Sequence, residues 1–215
     1  MSSTVIFKNS DILVVDKPPG VSVHNNEDPE NLMDVLQKQL SLNKLFPVHR
    51  LDKETSGIQI FAINADAASV YSQLFQQNQV QKIYQGILRG QLKHSEPWNQ
   101  SLTDKSEGRV NPAGVSKNRV PCLTEFKILQ KNNYFTFCEF DLKTGRQHQI
   151  RKHSALSNHP IVGDSRYGDS KYNNKIFGIY NVNRMFLHCT QITINNQTFE
   201  SPLPAEFHNI ITQIK

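Results

Sequence analysis

The chain has 215 residues, enough to bury a sizeable core in one domain, and carries 24 Lys and Arg against 19 Asp and Glu, for a net charge of +5. That basic balance suits a polyanionic partner. Three cysteines, odd in number and far apart, exclude a disulfide framework or a C-x-x-C metal pair, and no apolar run approaches the roughly 20 residues of a membrane helix. The opening MSSTVIFKNSD has no secretory pattern, so a soluble cytoplasmic protein with buried, reduced thiols is expected.

Most apolar residues come in short bursts bounded by Gly, Pro, Asn and Asp, the punctuation of strands. TVIF and DILVVDKPPG predict two strands, the second closed by a Pro-Pro-Gly turn at 18–20. Residues 31–42 place Leu32, Val35, Leu36 and Leu40 at helical spacing. GIQIFAIN (57–64) predicts a strand, and ADAASVYSQLFQQ (65–77) a helix resting on Ala67, Val70 and Leu74. In VQKIYQGILRG (80–90), alternation puts Ile83 and Ile87 on a dry face and Lys82 and Tyr84 on an open one.

Residues 104–119 hold four cations and two anions among Gly, Pro and Asn, with no period; an exposed loop is expected, mobile unless a partner orders it. VPCLTEFKILQ and YFTFCEFDLK read as a hairpin across Lys131, Asn132 and Asn133, Asn tolerating the left-handed backbone of tight turns. Thr144 with Gln147 three residues on is a capping-box pattern that would start a helix rich in Arg, Gln and His. RMFLHCTQITI (184–194) predicts a strand, and residues 204–215 a helix after a proline start. With no repeat or linker, a single domain over 1–215 is expected.

Several chemistries lack their residues. No Gly-rich loop ends in Lys-Ser/Thr, so no nucleotide cofactor is expected, and no G-x-S-x-G elbow is present. His148 and His153 lie five apart, off the i, i+4 zinc spacing, and are read as RNA-facing or structural. Three polar features remain: Asp52 in HRLDKETSG, Tyr84 on its strand, and Arg146, His148 and Arg151 on the capped helix. Alone, each has an ordinary reading as a turn carboxylate, a half-buried aromatic or a salt-bridged arginine.

Taken in order, LVVDKPPGVSVH, HRLDKETSG, KIYQGILRG, KTGRQHQIRKHSALSNHPIVGDSRYG and RMFLHC resemble the successive motifs of the RluA-type family of RNA pseudouridine synthases, across about residues 5–205. The resemblance implies an enzyme without cofactor or metal that breaks the N1–C1′ bond of a chosen uridine, rotates the base and rejoins it through C5. It implies Asp52 as the catalytic aspartate, Tyr84 as the tyrosine that packs on the uracil and Arg151 as the basic residue paired with the aspartate. Arg50 would occupy the space the flipped nucleotide leaves, and Leu187 would lie near the base pocket.

Elementary chemistry agrees: a reacting carboxylate needs a fixed ionised state beside a cation, and a base must leave its stack before it can be turned. Lys17, Lys82, Arg146 and the 104–119 loop would track phosphates of ribosomal or transfer RNA, with His148 also on the RNA side. The expected fold is α+β, a mixed and mostly antiparallel central sheet with flanking helices; an RNA-binding cleft is what the resemblance adds. The first motif begins near residue 5, so no S4-type domain is expected ahead of it, and a monomer is the default. The alternatives are a catalytically silent RNA-binding module of the same fold and a nucleoside N-glycosidase that releases uracil.

Overall fold

The structure, a computed structural model, describes residues 3–24, 30–94, 96–105 and 107–214. In chain order the elements are β1 (Thr4–Lys8), β2 (Ile12–Lys17), α1 (Leu32–Gln39), β3 (Phe46–Pro47), β4 (Ser56–Ala62), α2 (Ala65–Gln76), β5 (Gln81–Arg89), β6 (Thr124–Lys131), β7 (Phe135–Leu142), α3 (Gln149–Leu156), α4 (Ser170–Tyr180), β8 (Leu187–Ile194), β9 (Gln197–Glu200) and α5 (Ala205–Ile211). The fold is α+β with mostly antiparallel strands and flanking helices. By compactness it divides into two units, Met1–Lys82 with Cys189–Pro202, and Ile83–His188 with Leu203–Lys215.

In the first unit the strand order is β1-β2-β4-β8, with β3 on β4 and β9 on β8, and the β1–β2, β2–β4, β3–β4 and β8–β9 ladders are antiparallel. β4 is buried along its whole length, so its alternation of apolar and polar residues does not mark an inside and an outside. Gln59 is the consequence: a polar side chain held entirely within the protein. Asn31 and Asn64 cap α1 and α2 by accepting from the N–H groups of Asp34 and Ala67. Leu32 and Leu36 anchor α1; on α2, Ala67 is buried and Leu74 half-buried as expected, but Val70 is exposed, and Tyr71 and Phe75 are half-buried in its stead.

In the second unit β7 lies between β5 and β6, antiparallel to both. The β6–β7 turn differs from expectation in its means. Neither Asn132 nor Asn133 has positive φ; the Asn132 carboxamide oxygen accepts the N–H groups of Tyr134 and Phe135, doing with a side chain what a left-handed residue was expected to do. Ile87, Phe135, Phe137, Val162, Phe186, Phe207 and Ile210 form a core with α4 and α5 against it. Patterning assigns nothing to 170–180, where two asparagines and a glycine dilute the helical signal. There the Asp169 cap and burial of Ile176 settle the matter.

α3 begins five residues after the expected cap. Thr144 does not cap it: its hydroxyl donates to Gln149 Oε1 and accepts from Leu123 N–H, while His148 enters the helix in the left-handed region at φ +54°. The loop 104–119, whose Ser106 lies outside the described residues, has neither helix nor strand. It is nonetheless held by Thr103 on Glu107 at 2.8 Å, Arg119 on the Gly114 carbonyl at 2.9 Å and an Arg109–Asp169 ion pair at 2.8 Å, where order only on binding was expected.

Candidate active site

In the first unit, the segment around Asp52 is fixed from both sides. The buried Gln59 amide donates to the His49 and Ile60 carbonyls at 2.8 and 3.0 Å and accepts the Leu51 N–H at 3.2 Å. On the other side, Lys17 Nζ donates to the carbonyls of Pro18, Val21 and Lys53 at 3.0, 2.8 and 3.0 Å, and the Lys53 carbonyl also accepts the Gly20 N–H. Asp52 is half-buried, and its backbone carbonyl closes a turn by accepting the Thr55 N–H at 3.1 Å. Thr55 Oγ1 is a buried hydroxyl with no hydrogen-bond partner among the described residues.

Lys17 therefore differs from its expected role. A fully buried ammonium that donates to three carbonyls ties the end of β2 to the aspartate loop instead of meeting phosphate. Arg50 and Lys53 are exposed, while Lys82 is only 5 % exposed. His49 stacks on Phe75 at 4.5 Å and accepts the Ile60 N–H at 3.0 Å through Nε2. Desolvation first, and the Lys82 charge second, push its pKa down to about 3, so the ring is the neutral acceptor that this hydrogen bond requires.

Tyr84, in the second unit, is 7 % exposed and sits across from Phe140 on β7. A side chain at Gly86, two residues along the same face, would press on Phe140, Leu187 and the Phe186 carbonyl at 3.1–3.2 Å. Tyr84 and buried Leu187 thus belong to one tightly packed apolar neighbourhood. The face expected to be open is the more buried one: Tyr84 is covered while Ile83, assigned to the dry face, is half-buried.

Arg151 is buried on α3 and makes a two-pronged ion pair with Asp164, Nε to Oδ2 at 2.8 Å and Nη2 to Oδ1 at 2.9 Å. Its guanidinium carbon lies 5.4 Å from the Tyr167 ring centre, and the Tyr167 hydroxyl is 2.9 Å from His148 Nδ1. Arg151, Asp164, Tyr167 and His148 are one network. Arg146 is exposed, and its N–H donates to Gln149 Oε1. Beside these, His153 is structural, between Thr124 Oγ1 at 3.0 Å and the Gln100 carbonyl at 2.9 Å. Burial raises the pKa of neighbouring Cys122 and lowers that of His153, so their 3.8 Å pair stays neutral and offers no thiolate. Among the described residues no group of three or more His, Cys, Asp or Glu is placed to hold a metal.

Sequence patterning does not single out Gln59, Gln149 or Asp164. Asp164 lies in the VGDSRYG string, and Gln59 in the strand after HRLDKETSG; a polar residue at an interior strand position is the available signal for Gln59. The family described as RNA pseudouridylate synthase matches residues 11–156, which take in Asp52, Tyr84 and Arg151. The chain belongs to that family. Its activity is that of an RNA pseudouridine synthase.

Among similar proteins, the tRNA pseudouridine synthase C of Vibrio cholerae is 27 % identical, over 93 % of this chain and 88 % of that protein. The ribosomal large subunit pseudouridine synthase C of Vibrio vulnificus is 31 % identical, over 94 % of this chain and 64 % of that protein. The solved structure of human RNA pseudouridylate synthase domain containing 4 has the same fold, with a TM-score of 0.80 at 22 % identity over 98 % and 92 % of the two chains.

Proposed function

We propose that the chain isomerises a uridine of transfer RNA, with Asp52, Tyr84 and Arg151 as the residues that carry the reaction. The observation that carries this reading is the family match over 11–156, in which all three occur on one chain. Transfer RNA is favoured over ribosomal RNA because several of the similar proteins are tRNA pseudouridine synthases C, among them that of V. cholerae, of which the chain spans 88 %. The enzyme acts as a monomer and without a nucleotide cofactor.

In the proposed reaction the uridine leaves its stack, at a cost of about a few kcal/mol that the Tyr84 ring helps offset. The Asp52 carboxylate supports cleavage of N1–C1′, and Arg151 supplies a fixed positive charge to the reaction. The detached base turns, C1′ bonds to C5, the C5 hydrogen leaves to solvent and N1 gains a proton, so the product is an isomer of the substrate. Arg50 takes the vacated position in the stack, Leu187 lines the base pocket, and exposed Arg146 tracks phosphate. Fixing the chain on both sides of Asp52, through Gln59 and Lys17, suits a group that must not swing away as charge develops.

RNA carrying tritium at uridine C5 tests the reading. Purified protein is expected to release tritium to water from unmodified transfer RNA, without free uracil. Release from ribosomal RNA alone would move the substrate, free uracil would make the protein an N-glycosidase, and no release from either RNA would leave a binding module.

A further inference from the structure

Asp164 is a fully buried carboxylate with four hydrogen bonds. Two come from Arg151, as described; the other two come from the N–H groups of Arg166 and Tyr167, both 2.9 Å from Oδ1. These backbone bonds set the plane of the carboxylate independently of the guanidinium it receives. The turn carrying it is fixed in its own right. The Asp164 carbonyl accepts from Gly168 N–H at 3.1 Å and Asn173 Nδ2 at 3.0 Å, and Asn173 Oδ1 accepts the Gly163 N–H at 3.0 Å.

Stability alone is a poor reason for such an arrangement, because apolar residues of similar volume often replace a buried ion pair at no cost. What a two-pronged pair gives, and a packed leucine cannot, is a guanidinium fixed in both position and rotation. Tyr167 restrains the same group through its ring, and its hydroxyl is engaged by His148. We infer that Asp164 is a positioning residue for the reaction: it holds the Arg151 guanidinium in the one position and rotation in which the reaction uses it. This rests on the role proposed above for Arg151. Asp164 lies beyond the matched 11–156 region, so the family match does not itself assign it.

The test compares Asp164→Asn, Arg151→Lys and the double variant by RNA affinity and by the single-turnover rate of tritium release at saturating enzyme. The amide keeps an oxygen for the two N–H bonds, so the turn is retained while the charge is removed. Asp164→Asn is expected to bind RNA with unchanged affinity and lose about 10²-fold in rate, the scale of a small misplacement of a reacting group. In the Arg151→Lys background it should cost little more, because the two residues act through one group.

An unchanged rate, or the same fold-loss in both backgrounds, would overturn the inference. Should the amide variant fail to bind RNA, Asp164→Glu replaces it: loss of rate at unchanged affinity supports positioning, and a full rate contradicts it. If both Asp164 variants lose RNA binding and rate together, Asp164 is structural and the inference fails. If Arg151→Lys alone keeps the full rate, the role given to Arg151 falls first, while Asp52→Asn still tests the reaction separately.

Discussion

Gly57 contributes no functional group, yet the loop ahead of it depends on the missing side chain. Its φ is +108°, and a Cβ there would overlap the backbone of Cys189 on the neighbouring strand, so both conformation and space exclude other residues. Gly57→Ala is expected to cost about 3 kcal/mol or more in urea unfolding, from strain added to overlap; an unchanged midpoint would show that the strand yields. At this scale Asp52, Tyr84 and Arg151 were the candidates marked by the motif strings. The residues that fix their surroundings were not. Lys17 looks like a surface cation until its three carbonyl partners are seen, two of them formed by a local turn and one from Lys53, 36 residues away. Asp164 looks like a turn aspartate until Arg151 arrives from the preceding helix. Such partners are set by tertiary approach, which no spacing encodes.

The HRLDKETSG loop behaves as one element because His49, Gln59 and Lys17 tie it down together. His49 makes that element pH-sensitive. Its pKa is near 3 in the fold against about 6.5 unfolded, so the unfolded chain binds the proton more readily. The stability gained from the neutral ring is fully present above pH 6.5 and is lost as pH falls from there toward 3, at up to about 1.4 kcal/mol per pH unit. His153, also shifted down by burial, acts in the same direction. Urea midpoints at pH of about 7.5 and about 5, on either side of the unfolded value, should therefore differ, and His49→Gln should shrink the difference. An identical difference in the variant would remove His49 as its source. Strands such as β2, β4 and β7 were legible from their composition. The start of α3 was not: Gln149 gathers Thr144, the Arg146 N–H, Leu123 and Thr124 around one amide, and that cluster overrides the local capping pattern.

For the whole molecule, the α+β class could be read from strand content and the activity from the order of the motifs, whereas which cations face solvent could not. Lys17 and Lys82 are buried, whereas Arg50, Arg146, Lys105 and Lys117 are exposed. RNA affinity should fall linearly on a log–log plot against salt, and Lys105→Gln with Lys117→Gln should lower the slope by about 0.7–0.9 for each phosphate no longer neutralised. An unchanged slope would place the 104–119 loop away from RNA.

Whether Asp52 carries an isomerisation or only helps to bind RNA is decided by a single-turnover comparison of the native protein and Asp52→Asn on transfer RNA tritiated at uridine C5. The native protein should release tritium and form pseudouridine in equal amount, and the variant should release none at unchanged RNA affinity. Release by Asp52→Asn at the native rate would refute the catalytic role of this carboxylate.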